Sequence, residues 1–207
     1  MEIDHVLVAT RDLAKGAREL ETRQRLRSVA GGRHPGWGTA NRIVPLGSAY
    51  LELVAVVDPA EARQSAFGRW VADSATGLAE PFGWAVRVHD LDAAAERHGL
   101  AVVEGSRVTP VGATLRWRTA GLERAIAEPS LPFFIEWAAG STFPGAAPPE
   151  ERDADGIARL VLSGTEGTLV EWLGDHALPL EMRSGPPGVL AVVVPTRDAD
   201  DAVVGRR

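Results

Sequence analysis

The sequence predicts an α+β protein built from two tandem β-α-β-β-β units and a C-terminal β-α-β-β half-unit. Three observations carry this. Apolar, β-branched runs alternate with helix-period segments in a recurring order. Asp12-Leu13, at the start of the first helix, is matched by Asp90-Leu91 at an offset of 78 residues. Tyr50-Leu51-Glu52-Leu53 is matched by Phe134-Ile135-Glu136-Trp137 at an offset of 84. The two offsets differ by a six-residue loop insertion, and repeats of this size mark stacked supersecondary units.

The elements follow in order. Residues 3–9 are rich in β-branched and apolar types and predict a buried strand. Asp12 is a helix cap, with Leu13, Ala17 and Leu20 on one helical face behind it. The glycines and proline of Gly31-Gly32-Arg33-His34-Pro35-Gly36-Trp37-Gly38 argue against regular structure there. Strands are expected over 42–46 and 50–56, on either side of a Gly47-Ser48 turn. Asp58-Pro59 begins a helix with Ala62, Ala66, Phe67 and Trp70 on its apolar face. The second unit opens with a strand over 83–88, then a helix capped by Asp90 and ended by Gly99. Strands over 101–104, 112–118 and 132–138 complete it. The half-unit reads as a strand over 157–162 and a helix capped by Thr165, with Leu169, Val170 and Leu173 inward and Gly174 at its end. Strands over 178–182 and 189–194 follow. Residues 198–207 are polar and are expected to fray. The organisation is thus a first unit over 1–80, a second over 81–140, a linker over 141–156, and a truncated third unit over 157–197 packed on the same domain.

Composition removes whole classes of function. The chain has 207 residues, a formal net charge of −6, 45% hydrophobic residues and no cysteine. That is enough core for one large domain or two small ones. Zero cysteines exclude a disulfide scaffold, a Cys-based metal site and a cysteine nucleophile. The acidic balance argues against nucleic acid as a partner. Lys15 is the lone lysine, which argues against a Schiff-base or P-loop lysine. No apolar run approaches the roughly 20 residues that span a bilayer. The start has no basic region of the secretory type, so a cytoplasmic protein with no membrane partner is expected. Neither a Walker loop, a dinucleotide fingerprint nor an H-E-x-x-H motif is found.

A resemblance enters here. Tandem units of this order, His5 in the first strand and Glu136 in the last, resemble the vicinal oxygen chelate superfamily. The stretch from Gly31 to Asn41, followed by Tyr50-Leu51-Glu52-Leu53, resembles the glyoxalase-like domain family within it. The resemblance implies a curled, cup-shaped mixed sheet with outer helices. It also implies that a metal, when present, lies on the cup floor with ligands from the first and last strands of both units.

Side chains alternate across a strand. If His5, Glu52 and Glu136 face the cup, the opposite faces of their strands are wholly apolar, as helix-covered faces should be. Together with the resemblance, this makes His5, Glu52 and Glu136 the candidate metal ligands, with Glu52 and Glu136 also candidate proton-transfer groups. Such a set suits a divalent Mn, Fe, Ni or Zn ion. The second unit departs from the pattern, because Gly83 and Trp84 stand where a second His is expected. His34 is a candidate to fill the gap. The candidate lining for a small-molecule ligand or substrate is His34, Trp37, Asn41, Tyr50, Trp84, Arg87 and Phe134. Arg87 points to an acidic ligand, and Arg116 and Arg118 could add to its field.

Three classes of function remain open. One is a metal-dependent lyase, isomerase or oxygenase acting on a vicinal-oxygen substrate. The second is a metal-free protein that binds or sequesters a small molecule in the same cup. The third is a non-catalytic subunit whose half-unit covers a sheet edge. A monomer or a homodimer would suit any of them.

Overall fold

A computed structural model of the chain describes residues 1–197 and 200–205. The first unit runs β1 (Glu2–Ala9), α1 (Leu13–Gln24), β2 (Val29–His34), β3 (Thr39–Pro45) and β4 (Tyr50–Val56). Asp12 caps α1 by accepting the Lys15 amide. The helix expected after Asp58 is two helices, α2 (Pro59–Ala62) and α3 (Ala66–Ser74). Ser65 divides them, because its hydroxyl accepts the Gly68 amide and starts a new helix.

The second unit runs β5 (Glu80–Arg87), α4 (Leu91–His98), β6 (Val102–Val108), β7 (Thr114–Ala120), α5 (Leu122–Ala127) and β8 (Phe133–Trp137). The short helix α5 was not expected from the sequence. The half-unit supplies β9 (Arg159–Ser163), α6 (Glu166–Leu173), β10 (Leu180–Arg183) and β11 (Gly188–Val194). Part of the tail expected to fray instead forms β12 (Ala202–Gly205), which pairs antiparallel with β11. Residues 198, 199, 206 and 207 of that tail lie outside the described residues.

The expected curled sheet closes on itself. Eight strands form a barrel in the order β1-β4-β3-β2-β6-β7-β8-β5. One seam joins β1 to β5 and the other joins β2 to β6, where Arg33 pairs with Val108. The second seam explains why glycine-rich residues form strand β2 rather than a loop. A Cβ on Gly32 would stand 2.1 Å from the Val108 carbonyl oxygen, so glycine lets the two backbones meet.

There are two cores. Leu7, Val54, Ala85, Leu115, Phe133 and Ile135 pack inside the barrel, and Phe67 and Trp70 of α3 join them. The second sheet, in the order β10-β9-β11-β12, covers the barrel's outer face. There Val6, Trp84, Val86 and Phe134 pack with Leu160, Leu162, Val192 and Val194. Among the described residues, no helix is long and apolar enough to cross a membrane.

Candidate functional site within the barrel

Strand β1 carries a bulge. Its pairing with β5 skips Asp4, between Ile3↔Val86 and His5↔Ala85. A bulge adds one residue and breaks the alternation of faces. Ile3 therefore lies in the outer core, while both Asp4 and His5 reach groups of the barrel interior. On the neighbouring strand, Tyr50 pairs with His5 and Glu52 with Leu7. The Tyr50 ring stacks on the His5 imidazole with centroids 4.8 Å apart.

A directional chain of hydrogen bonds crosses the interior. Arg107, from β6, donates from Nη1 to Asn41 Oδ1 at 2.9 Å. A guanidinium only donates, so the Asn41 amide nitrogen faces the other way. It donates to Glu52 Oε1 at 2.9 Å and to His34 Nε2 at 3.2 Å. His34 Nε2 is thereby an acceptor, and its proton sits on Nδ1, which donates to Thr39 Oγ1 at 2.8 Å. The neutral imidazole this requires is also what burial favours. Burial pulls the His34 pKa down to about 4; the Glu52 charge opposes the shift, and Arg107 and His5 add to it.

A second group approaches Glu52 from the opposite side. His5 Nδ1 donates to Asp4 Oδ1 at 2.7 Å. The other Asp4 oxygen accepts Trp137 Nε1 at 3.0 Å and Arg87 Nη1 at 3.4 Å. His5 Nε2 thus points at Glu52 Oε2 across 3.7 Å, too far for a direct hydrogen bond. Burial pushes the Tyr50 phenol well above its ordinary value, helped by the charges of Asp4 and Glu52, so it stays protonated.

His5, His34, Asn41, Tyr50, Glu52 and Arg107 line one cavity, with Trp37, Phe67, Trp117, Phe133 and Trp137 among its aromatic walls. The cavity is small, about 30 Å³. His5, His34, Asn41, Tyr50, Glu52 and Arg107 are all buried.

Several expected site residues lie elsewhere. Glu136 is on the outer face of β8, where it pairs with Arg118, which also holds Asp92. Phe134 and Trp84 belong to the outer core, and Trp84 donates its indole N–H to the Ser130 carbonyl. Arg87 stands at the end of β5, paired with Glu2 and Asp4 and lying over the Phe143 ring. Arg116 and Arg118 flank Trp117 on the face away from the cavity.

The cause is a one-residue slip in the repeat. The parallel pairs are His5↔Tyr50 in the first unit and Ala85↔Phe133 in the second. Phe133 is therefore the counterpart of Tyr50, and Ile135, not Glu136, is the counterpart of Glu52. A slip of one residue turns every side chain to the other face. Asp4 and Arg107 are the functional candidates that sequence reading missed. The signal for Asp4 was a second polar side chain inside an apolar strand. Arg107 gave no signal in a strand of mixed polarity.

The metal reading fails on the donor set. The second unit presents Ala85 and Ile135 where the first presents His5 and Glu52, and Glu136 faces outward. Among the described residues, no group of three or more His, Asp or Glu is disposed to hold a metal ion. Where His34 Nε2 and Glu52 Oε1 converge, the Asn41 amide nitrogen already bonds both. The buried Arg107 guanidinium adds a fixed positive charge to the same cavity, which disfavours a cation. The residues present do not fit a metal.

A family model described as glyoxalase-like domain matches residues 3–178. No curated protein matches the chain. Among solved structures, a hypothetical protein from Staphylococcus aureus is similar with a TM-score of 0.64 and 12% identity, over 100% of this chain and 86% of its own. A methylmalonyl-CoA epimerase from Mycobacterium tuberculosis gives a TM-score of 0.46 at 20% identity, over 66% of this chain and 86% of its own. The Streptomyces coelicolor methylmalonyl-CoA epimerase gives 0.48 at 19% identity, over 69% of this chain and 98% of its own. With a match that spans most of its length, two tandem units and a curled eight-stranded sheet, the chain belongs to the glyoxalase-like domain family.

Proposed function

We propose that this protein binds a small carbonyl compound inside the barrel and moves a proton on it, as an isomerase or lyase does, using its own side chains. Glu52 is the proton acceptor and His5 the proton donor. The observation that carries this reading is the 3.7 Å gap between His5 Nε2 and Glu52 Oε2. At that separation both atoms can bond to the same third atom or to two neighbouring atoms of a substrate.

The surrounding bonds support distinct roles. Asn41 occupies Glu52 Oε1, so Oε2 is the working oxygen. Asp4 holds the His5 Nδ1 proton, so Nε2 is the working nitrogen, and the carboxylate stabilises the imidazolium, the form in which Nε2 also carries a proton to give. Abstraction would break a C–H bond next to the substrate carbonyl and put the proton on Glu52. The electron pair would pass to the carbonyl oxygen, which takes the Nε2 proton of the His5 imidazolium and leaves the ring neutral, with its remaining proton on Nδ1 toward Asp4. Positioned acid–base groups contribute typically 10²–10⁴-fold to rate, and aromatic walls that exclude water strengthen their electrostatics.

The experiment is deuterium exchange. Methylglyoxal, pyruvate, 2-oxobutyrate and hydroxyacetone are incubated with the protein in D2O, and loss of the proton next to the carbonyl is followed by NMR. Enzyme-dependent exchange that Glu52→Gln abolishes is the expected result. Exchange no faster than buffer for every compound overturns the proton-transfer reading and leaves a binding protein.

A further inference from the structure

The geometry points to a short-chain carboxylate as the ligand of this cavity, held through its carboxylate by the Arg107 guanidinium. The inference rests on the reading of the barrel cavity as the substrate site.

Arg107 is 4% exposed and lines the cavity. Arginines on three other barrel strands are ion-paired. Arg87 pairs with Glu2 and Asp4, Arg33 with Asp58 and Glu61, and Arg118 with Asp92 and Glu136. Arg107 makes no ion pair with a carboxylate among the described residues. Its one side-chain hydrogen bond is to a neutral amide oxygen, that of Asn41. A guanidinium carries five N–H donors, and among the described residues Asn41 is the one acceptor bonded to them. The nearest carboxylate, Glu52, is reached only through Asn41, and a buried cation with no anion in contact is costly to keep. Such a cost is retained where a ligand supplies the missing anion.

The fork also selects the kind of anion. Two parallel N–H groups match the two oxygens of a carboxylate. The backbone has been cleared to bring the fork here. A Cβ on Gly31 would stand 2.5 Å from Arg107 Nη1, and one on Gly105 would stand 2.4 Å from Trp117 Nε1. Trp37, Phe67 and Trp117 then provide an apolar wall for a short carbon chain. The small volume excludes long chains from the interior. Glu52 is one residue away along the hydrogen-bond chain, through Asn41. A carboxylate on Arg107 would therefore hold its short carbon chain, with the C–H next to the carbonyl, beside the proton acceptor.

Isothermal titration separates the cases. The probes are acetate, glyoxylate and pyruvate, each set against a neutral counterpart: acetamide, glyoxylamide and pyruvamide. Wild type is compared with Arg107→Gln, Arg107→Lys and Glu52→Gln. The wild type is expected to favour at least one carboxylate over its amide by 10-fold or more. Arg107→Gln should lose that preference, as removal of a charge-assisted bond costs on the order of 10–100-fold. Arg107→Lys keeps the charge but loses the fork, and should bind at an intermediate level. Amides that bind the wild type as tightly as carboxylates, or no carboxylate binding at all, overturn the inference. So does undiminished carboxylate binding by Arg107→Gln. If Arg107→Gln fails to fold, the carboxylate-to-amide ratio of the wild type and of Arg107→Lys decides. Carboxylate binding without deuterium exchange would sink the proton-transfer reading and keep the anchor. Exchange on neutral hydroxyacetone, unchanged in Arg107→Lys and without carboxylate preference, would do the reverse.

Discussion

Gly31 faces Asn41 so closely that a Cβ at residue 31 would stand 2.0 Å from Asn41 Oδ1. The β2–β3 pairing has a bulge here, so that Gly31 and Gly32 both stand against Asn41. This irregularity makes the room in which Arg107 meets Asn41. Gly31→Ala should therefore fold, because side-chain ends can swing away, but should lose about 1–3 kcal/mol to overpacking. The hydrogen-bond chain from Arg107 to Glu52 would break with it. Urea unfolding and carboxylate titration check both parts; wild-type stability with wild-type binding would refute the account.

Stability should fall as the pH drops from neutrality towards 4, and His34 is one reason. Its pKa is about 4 in the fold against about 6.5 in an unfolded chain. Above 6.5 both states hold the neutral ring, and His34 costs nothing. Between 6.5 and 4 the unfolded chain takes up a proton that the fold refuses, so stability declines with falling pH. The loss is complete below 4 and amounts to a few kcal/mol. His98, lowered by burial and by Arg97, adds in the same direction. Urea midpoints between pH 7.5 and 4.5 should therefore fall less steeply in His34→Gln than in the wild type. Equal slopes would mean that His34 takes up its proton in the fold as readily as in the unfolded chain.

The legible part of the site was its first unit. Glu52 stood out because a carboxylate inside a continuous apolar strand needs a reason, and all seven residues of β4 except Val56 are buried. His34, Trp37 and Asn41 were legible as a loop-and-strand motif. Strand β8 hid its phase. Phe133-Phe134-Ile135-Glu136-Trp137 is apolar on both faces, because one face meets the barrel interior and the other meets α6 and the second sheet. A strand buried on both sides shows little alternation, so matching the two units by their glutamates displaces the second by one residue. Arg107 was hidden for the opposite reason. Strand β6 is largely exposed and mixed in polarity, and only barrel closure against β2 turns one of its arginines inward.

The slip makes its own prediction. Glu136 pairs with Arg118, whose side chain is 36% exposed, and with the N-terminus of α4 at the Leu91 amide. Such an ion pair is worth about 0–1 kcal/mol. Glu136→Gln should change stability by no more than that and leave ligand binding as it is. Glu52→Gln should leave folding nearly intact and remove proton transfer, by 10²-fold or more. Exchange kinetics on the two variants in parallel test the register. Loss of exchange in Glu136→Gln would restore the alignment in which both glutamates face inward.

Asn41 is the residue whose replacement discriminates most sharply. Asn41→Asp keeps an acceptor for Arg107 but removes both donated hydrogens. A new carboxylate would then lie near 2.9 Å from Glu52 Oε1 and 3.2 Å from His34 Nε2. Two carboxylates at that distance do not both ionise in a buried site, so the pair must hold a proton. A carboxyl pKa raised in the fold means that the folded state binds more protons, so stability rises as the pH falls. The variant should be destabilised by about 2–4 kcal/mol at pH 8, and by clearly less at pH 5.5. It should also lose carboxylate binding, because the introduced carboxylate would neutralise Arg107 from within. Urea unfolding of wild type and variant at the two pH values reads the difference directly. A destabilisation that is the same at both would mean that residue 41 and Glu52 share no proton, and that the Asn41 amide does not stand against Glu52 as the hydrogen-bond chain requires.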